Sequence, residues 1–159
     1  MSLLSSETLA AITALRQHGP TPQSALLTAL RLTQRERGMV GPGEVEELAG
    51  VLNLSPAVVE GVARFYDQIT GEPTGRHVVA LCRGIACFLR GSDAAREQLE
   101  QLLHVRPGET AGDGQLTFQL VECIGDCDHA PAVMLDDTFL GAFSPERLSV
   151  ALAQAKAGR

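Results

Sequence analysis

The sequence predicts an α/β chain in which a four-helix bundle over residues 1–72 precedes an α/β domain over residues 76–159. Two patterns predict this division. In the first part, apolar residues recur at the three- and four-residue spacing of a helix face, whereas in the second part short apolar stretches flank a helical pattern. Glycine and proline interrupt residues 71–75, as is typical of a linker. The 159 residues, 45% of them hydrophobic, suffice for a small core plus a helical extension.

Four helices are predicted in the first part from the residues that open them. Ser5 or Ser6 is suited to cap the first helix, and Thr21 is suited to cap the second. Pro42 opens the third helix, and Ser55 caps the fourth because a proline follows it at the first helical position. The predicted inner faces hold Leu9, Ile12, Leu15, Leu26, Leu27, Leu30, Val45, Leu48, Ala49, Leu52, Val59, Val62, Ala63 and Tyr66.

Strands and helices alternate in the second part. Residues 77–82 predict a short buried strand, and residues 116–122 alternate as a second strand does. A helix is predicted between them over residues 92–103, from apolar residues at helical spacing. Residues 132–143 predict a hairpin, and Ser144 caps a last helix.

Charge and hydropathy exclude two classes of partner. The net charge is −6 and the 13 Lys and Arg residues are scattered, so no basic face is available for nucleic acid. No positively charged segment precedes an apolar one near the first residue, as a secretory signal requires. The longest strongly apolar run, residues 77–82, is far shorter than the roughly 20 residues of a membrane span. We therefore expect a cytoplasmic protein without direct membrane insertion, or one held peripherally at the inner face of the cell membrane by a larger complex.

Four cysteines carry the chemistry that the sequence predicts. They form two close pairs, Cys82-x4-Cys87 and Cys123-x3-Cys127, and the first 81 residues contain none. In a reducing cytosol such a pattern favours metal binding or redox chemistry over disulfides. Each pair begins where a predicted strand ends, so two loops of one sheet can bring four thiolates to a single site. A 2Fe-2S cluster needs two thiolates at each iron, and the spacing favours such a cluster.

Three other interpretations use the same cysteines. Structural zinc is one, although its knuckles usually pair ligands as C-x2-C. A dithiol–disulfide enzyme is another, although its usual motif is C-x-x-C. Cysteines buried in the core without a function are the third. The spacing alone leaves all three open.

The residues around the cysteines resemble a known family. Cys82-Arg-Gly-Ile-Ala-Cys87 and Val121-Glu-Cys-Ile-Gly-Asp-Cys-Asp-His-Ala-Pro131 are similar to the thioredoxin-like 2Fe-2S ferredoxins, and within them to the E subunits of NADH-quinone oxidoreductases (respiratory complex I). In the helical part, residues 35–40 and 62–66 are similar to the same subunits. The resemblance spans residues 25–150.

The resemblance implies a thioredoxin-like domain that holds one 2Fe-2S cluster, with Cys82 and Cys87 on one iron and Cys123 and Cys127 on the other. It implies an oxidoreductase subunit without catalytic residues of its own, which exchanges electrons with FMN. NADH and FMN would bind only to a partner flavoprotein subunit of the same complex. The same module occurs in NAD-dependent formate dehydrogenases and NAD-reducing hydrogenases, so these complexes are alternatives, and a free-standing ferredoxin is a further one.

Several residues near the motif receive separate predictions. Asp126 stands where the family commonly has a small or uncharged residue, which predicts a lowered cluster potential that Arg83 offsets if it turns inward. His129 is interpreted as an ordinary loop residue. Phe88 is expected either to shield the cluster from water or to fill the core, and Phe65-Tyr66 is expected to pack in the core.

Overall fold

The structure is a computed structural model that describes residues 2–157. The chain separates into two compact units, with the division between Pro73 and Thr74. Each unit has its own apolar core. All four cysteines lie within the second unit.

The first unit contains four α-helices and one short 3-10 helix. Ser5 caps the first α-helix through a hydrogen bond from the backbone N–H of Thr8 to its hydroxyl, as the sequence predicts. Thr21 caps a 3-10 helix and not the second α-helix. Its hydroxyl accepts from the N–H of Ser24, which closes a tighter turn before the second α-helix begins. The elements are α1 (Ser6–His18), the 3-10 helix (Pro22–Ala25), α2 (Leu26–Arg37), α3 (Pro42–Leu52) and α4 (Pro56–Phe65).

All four helices bury one face in a common core. The fully buried members with large side chains are Ile12, Leu26, Leu30, Leu48, Leu52 and Val59. The sequence pattern predicts Phe65 and Tyr66 in this core too, and that prediction is wrong. Both rings are exposed and pack edge to face against each other, with their centroids 5.1 Å apart. Phe65, the last residue of α4, stands two positions after the buried Ala63 and therefore off the buried face, and Tyr66 has left the helix for extended backbone.

The second unit is built on a four-stranded mixed sheet in the order β2-β1-β3-β4. The strands are β1 (His77–Cys82), β2 (Leu116–Val121), β3 (Ala132–Leu135) and β4 (Thr138–Ala142). β1 and β2 are parallel, whereas β3 runs antiparallel to β1 and to β4. The predicted α/β class is confirmed.

Three helices complete the second unit. They are α5 (Ile85–Leu89), α6 (Ser92–Leu103) and α7 (Pro145–Ala157). α6 and α7 match the predicted helices, but α5 lies in a segment that the sequence predicts as a loop. With five residues, α5 is too short to leave a periodic pattern. The core between sheet and helices is formed chiefly by Val79, Leu81, Leu99, Phe118, Val133 and Leu148.

No single helix among residues 2–157 has both the length and the apolar character needed to cross a membrane. α3 and α4 reach that length only when taken together, and the chain bends by 119° between them. Both helices bury apolar residues in the core of the first unit.

Candidate metal centre

All four cysteines lie at one edge of the sheet. β1 ends at Cys82, and the parallel register pairs Cys82 with Val121, the last residue of β2. Parallel strands that end in register deliver their loops to the same edge, which places Cys123 beside the loop that follows Cys82. Cys87 lies within α5, and Cys127 begins a 3-10 turn over Cys127–His129. The strand ends therefore bring together side chains that stand far apart in the sequence.

The thiols are close within each pair. The Sγ atoms of Cys123 and Cys127 are 3.7 Å apart, and Cys82 is near enough to Cys87 to raise the pKa of its thiol. Cys82 and Cys87 are buried, whereas Cys123 and Cys127 are exposed, and all four are free of disulfides. The site thus has a buried half and a half that faces the protein surface.

Gly84 shows that the two pairs also meet each other. A Cβ atom added to Gly84 would lie 3.1 Å from the Cβ of Cys123 and 3.5 Å from the Sγ of Cys82. The space that a side chain would fill is occupied by a cysteine from each pair. Glycine therefore allows the two cysteine loops to approach closely.

The pKa directions agree with this crowding of thiols. Burial raises the pKa of Cys87, the N–H of Ala132 lowers it, and the neighbouring Cys82 and Cys127 raise it further. Hydrogen bonding and charge repulsion from Cys123 raise the pKa of Cys127, and Cys82 also contributes. Because four thiolates at this site would repel one another, a cation that binds them compensates the accumulated charge.

The donor set fits a 2Fe-2S cluster. Such a cluster takes two thiolates at each iron, and the site offers two pairs of thiols from two loops. The backbone N–H of Ala132 donates to the Sγ of Cys87 at 3.4 Å, which is the kind of contact that tunes a cluster sulfur. In the described part of the chain, no three His, Cys, Asp or Glu side chains are arranged as ligands of a single metal ion.

Charged residues surround the exposed half of the site. The carboxylate of Asp126 is hydrogen-bonded to His129, whose Nδ1 lies 2.7 Å from its Oδ1. This hydrogen bond, with the charge of Asp126, raises the pKa of His129. Arg83 does not turn inward, because its Nε donates to Glu122 at 2.9 Å. Arg83 therefore does not offset the charge of Asp126, whose carboxylate is paired with His129 instead.

Sequence reasoning missed the apolar surface beside the site. Phe88 is 56% exposed, so the expectation that it fills the core is wrong. Ile85 and Leu89 are also exposed, and all three belong to α5. Their spacing in the sequence is that of one helix face, which usually indicates burial, and here that face is turned to solvent.

A sheet that presents four converging thiols at one edge defines a cysteine-ligated metal or redox domain. The model of the thioredoxin-like [2Fe-2S] ferredoxin family matches residues 12–156. The chain belongs to this family, which confirms both the resemblance and the fold that were predicted from the sequence.

Curated relatives carry a more specific name, the E subunit of an NADH-quinone oxidoreductase. The relative from Escherichia coli (strain K12) is 36% identical over 139 residues, which are 87% of this chain and 84% of the relative. The relative from Pseudomonas aeruginosa is 36% identical over 129 residues, with coverage of 81% and 78%. A relative from Rhizobium meliloti (strain 1021) is 36% identical over 138 residues, with coverage of 87% and 82%. The similarity therefore extends over both units of the chain.

Among solved structures, an NAD+-reducing [NiFe]-hydrogenase in its H2-reduced state has a similar fold. Its TM-score is 0.64 at 22% sequence identity. The match covers 84% of this chain but only 22% of the hydrogenase chain. This chain thus spans about a fifth of that longer chain, and at this identity the likeness shows the fold alone.

Proposed function

We propose that the four cysteines hold one 2Fe-2S cluster, with Cys82 and Cys87 on one iron and Cys123 and Cys127 on the other. The chain then serves as the electron-transfer subunit of an NADH-quinone oxidoreductase, as its similarity to the E subunits of such complexes supports. The observation that carries the proposal is the convergence of four free thiols at one sheet edge. NADH and FMN bind to a partner flavoprotein subunit with which this chain exchanges electrons.

The residues of this chain hold and tune the cluster. When bound, the cluster accepts one electron and passes it on. Cys82 and Cys87 anchor it in the protein, where burial limits contact with water. The N–H of Ala132 stabilises negative charge on the sulfur of Cys87. Cys123 and Cys127 lie on the exposed half, which leaves that side open for a redox partner.

A hydrogenase is the second candidate for the parent complex. The match to the NAD+-reducing [NiFe]-hydrogenase favours it. That match concerns the fold and not the residues of the site. In both complexes the chain carries electrons and the partner subunit carries the hydride chemistry. We infer a cytoplasmic location, peripheral to the membrane where the complex itself is membrane-bound.

The ligand assignment is tested by comparing the native chain with Cys87→Ser and Cys123→Ser. The native chain is expected to contain iron and sulfide in equal amounts and to show an electron paramagnetic resonance signal on reduction. Both variants should lose most of the iron and the signal. Ala86→Ser introduces the same side chain into the same helix without removing a thiol, and it should keep both. Zinc in place of iron in the native chain, or full cluster content in both cysteine variants, would overturn the assignment.

The assignment to an NADH-oxidising complex has a separate test. A tagged native chain is purified from its own cells, and the bound proteins are identified and assayed for flavin. Recovery of an FMN-containing partner that oxidises NADH is expected. An iron–sulfur chain that is recovered alone would instead indicate a free-standing ferredoxin. Nickel in the purified assembly would favour the hydrogenase.

A further inference from the structure

The two pairs of thiols in the metal centre differ in how easily a dissolved reagent reaches them. Cys82 and Cys87 are each only 1% exposed, whereas Cys123 and Cys127 are both exposed. A thiol reacts with an oxidant or with a small disulfide only where the reagent has access to its sulfur. Before the chain receives a cluster, such reagents therefore reach one pair of the four thiols and not the other.

The two exposed thiols are also neighbours in space. Their Sγ atoms are 3.7 Å apart, whereas the sulfurs of a disulfide are about 2.0 Å apart, and rotation of two side chains covers a difference of this size. Gly125 stands between the two cysteines with φ +87°, a left-handed conformation that suits glycine and reverses the chain. Cys127 then begins the 3-10 turn, in which its carbonyl accepts from the N–H of Ala130 at 3.3 Å. The loop therefore keeps Cys123 and Cys127 side by side.

The buried pair is held in a different way. Cys82 is the last residue of β1, and Cys87 lies within α5. The N–H of Ala132 donates to the Sγ of Cys87 at 3.4 Å. Regular backbone limits the movement of both residues, and their burial excludes a reagent as large as a tripeptide disulfide. Oxidation by such a reagent therefore selects Cys123 and Cys127.

We propose that Cys123 and Cys127 form a reversible disulfide when the chain without its cluster meets a small disulfide such as oxidised glutathione, and that this bond blocks cluster loading until it is reduced. The proposal rests on the proposed function, because it takes the four cysteines as the ligands of the cluster. The disulfide withdraws both protein ligands of one iron. Loading of the chain then follows the thiol–disulfide balance of its surroundings.

The reaction is a double thiol–disulfide exchange. One thiolate of the exposed pair attacks a sulfur of oxidised glutathione, whose S–S bond breaks and releases one glutathione thiolate. The thiolate of the other cysteine attacks the cysteine sulfur of this mixed disulfide and releases the second glutathione. In total the two cysteines lose two electrons and two protons, and the two glutathione molecules gain them. Because an exposed disulfide is readily reduced, an excess of reduced glutathione reverses the reaction.

The test uses the full native chain after a chelator has removed its iron. The chain is incubated with oxidised glutathione and denatured with an alkylating reagent, and its free thiols are located by mass spectrometry. Alkylation is expected at Cys82 and Cys87 only, with a link between Cys123 and Cys127, and reduced glutathione should restore all four thiols. The oxidised chain should lose most of its early iron uptake from ferrous iron and sulfide without added thiol, whereas the reduced chain should keep it.

Two variants separate the exposed pair from the buried pair. Cys82→Ser/Cys87→Ser retains both exposed thiols, and it should form the Cys123–Cys127 link as the native chain does. Cys127→Ser removes one thiol of the exposed pair. It should form no link within the chain, and Cys123 should instead carry one glutathione, because the second exchange step has lost its nucleophile.

The outcomes distinguish the two proposals. A reduced native chain that takes up no 2Fe-2S cluster refutes the proposed function itself. A chain that loads a cluster when reduced, but after oxidation keeps four free thiols, links Cys82 to Cys87 or joins a second copy, refutes the disulfide alone. An oxidised chain that carries the Cys123–Cys127 link and still takes up iron as fast as the reduced chain refutes the block on loading.

Discussion

The Nδ1 atom of His77 lies 2.9 Å from Oδ2 of Asp136, although the His77 ring is only 1% exposed. The other oxygen of Asp136 accepts from the N–H of Val78 at 2.9 Å, and the N–H of Asp136 donates to the carbonyl of Val78 at 2.8 Å. One residue in the β3–β4 turn thus fixes the start of β1. Because β1 ends at Cys82, this contact fixes the strand at the end opposite the metal centre.

Loss of this contact is expected to destabilise the protein. Asp136→Gly should lower the free energy of unfolding by about 1–3 kcal/mol, since it leaves the buried imidazole of His77 without its partner. Glycine is the appropriate replacement because Asp136 has φ 53°, where alanine would add backbone strain. Asp136→Asn keeps an acceptor and tolerates this φ, so its loss should be smaller. Urea unfolding followed by circular dichroism measures both, and an unchanged midpoint for the glycine variant would contradict the prediction.

A side chain at Gly84 is expected to disturb the metal centre. In Gly84→Ala the new Cβ would lie 3.1 Å from the Cβ and 3.3 Å from the Cα of Cys123, so Cys123 would have to move away by a few tenths of an ångström. Such overpacking costs about 1–3 kcal/mol, and we expect a lower iron content with it. Gly112→Ala is the control, because no atom lies within 4 Å of its added Cβ. Equal iron content in the two variants would contradict this prediction, because it would show that the cysteine loops can shift without loss of metal.

The parts of the site that depend on local signals were predictable from the sequence. β1 and α6 have the predicted bounds, 77–82 and 92–103, since a buried strand and an amphipathic helix both leave clear patterns. The location of the cysteines at strand ends followed from the same patterns. Their ligation of a cluster remains a prediction until iron is measured.

Non-local features of the fold were not predictable. The antiparallel pairing of β3 with β1 has no local signal, because it depends on how distant strands meet. α5 is shorter than two turns, and its apolar residues face solvent, contrary to the rule that a helical apolar stripe is buried. The exposure of Tyr66 escaped prediction because it depends on where α4 ends.

The charge of Asp126 is expected to lower the potential of the cluster. Asp126 directly precedes Cys127, and a carboxylate there disfavours the added electron. Asp126→Asn should therefore raise the midpoint potential, measured by redox titration with electron paramagnetic resonance. Asp113→Asn, which precedes β2 at the end of that strand away from Cys123, should leave the potential unchanged. A midpoint potential that stays the same or falls in Asp126→Asn would contradict this explanation.

Glu36 is expected to make the stability of the chain depend on pH. Hydrogen bonds from the Thr8 side chain and the Ser5 backbone lower the pKa of Glu36 in the folded state. A lowered folded pKa contributes stability above the unfolded value of about 4.3, and this contribution is lost as the pH falls through the folded pKa. Glu36→Gln should thus have a lower Tm than the native chain at pH 7, and the gap should close in acid. Glu46→Gln, an exposed change on α3, serves as the control. A gap that keeps its full size as the pH falls from 7 into the acid range would contradict the ionic origin.

Arg147 links α7 to β4, and Gly141 of β4 lies beside the loop that carries Cys127. Its Nη1 donates to the carbonyl of Leu140 at 2.8 Å, and Gly141 next to it has φ +73° at an irregularity in the strand pairing. A Cβ on Gly141 would lie 3.2 Å from this Nη1 and 3.7 Å from the Cβ of His129. The glycine therefore leaves room for α7, β4 and the cysteine loop to meet.

A double-mutant cycle tests this three-way contact. Gly141→Ala should cost about 1 kcal/mol or more, from strain at positive φ together with the clash at Arg147. Arg147→Ala alone should cost about 1 kcal/mol, as a hydrogen bond to a backbone carbonyl is lost. In the Arg147→Ala background the Gly141→Ala substitution should cost about 0.5 kcal/mol less, because the clash with the guanidinium is gone while the backbone strain remains. Strict additivity in urea unfolding would mean that the guanidinium does not pack on Gly141. The positive φ would then be the only reason for glycine at this position.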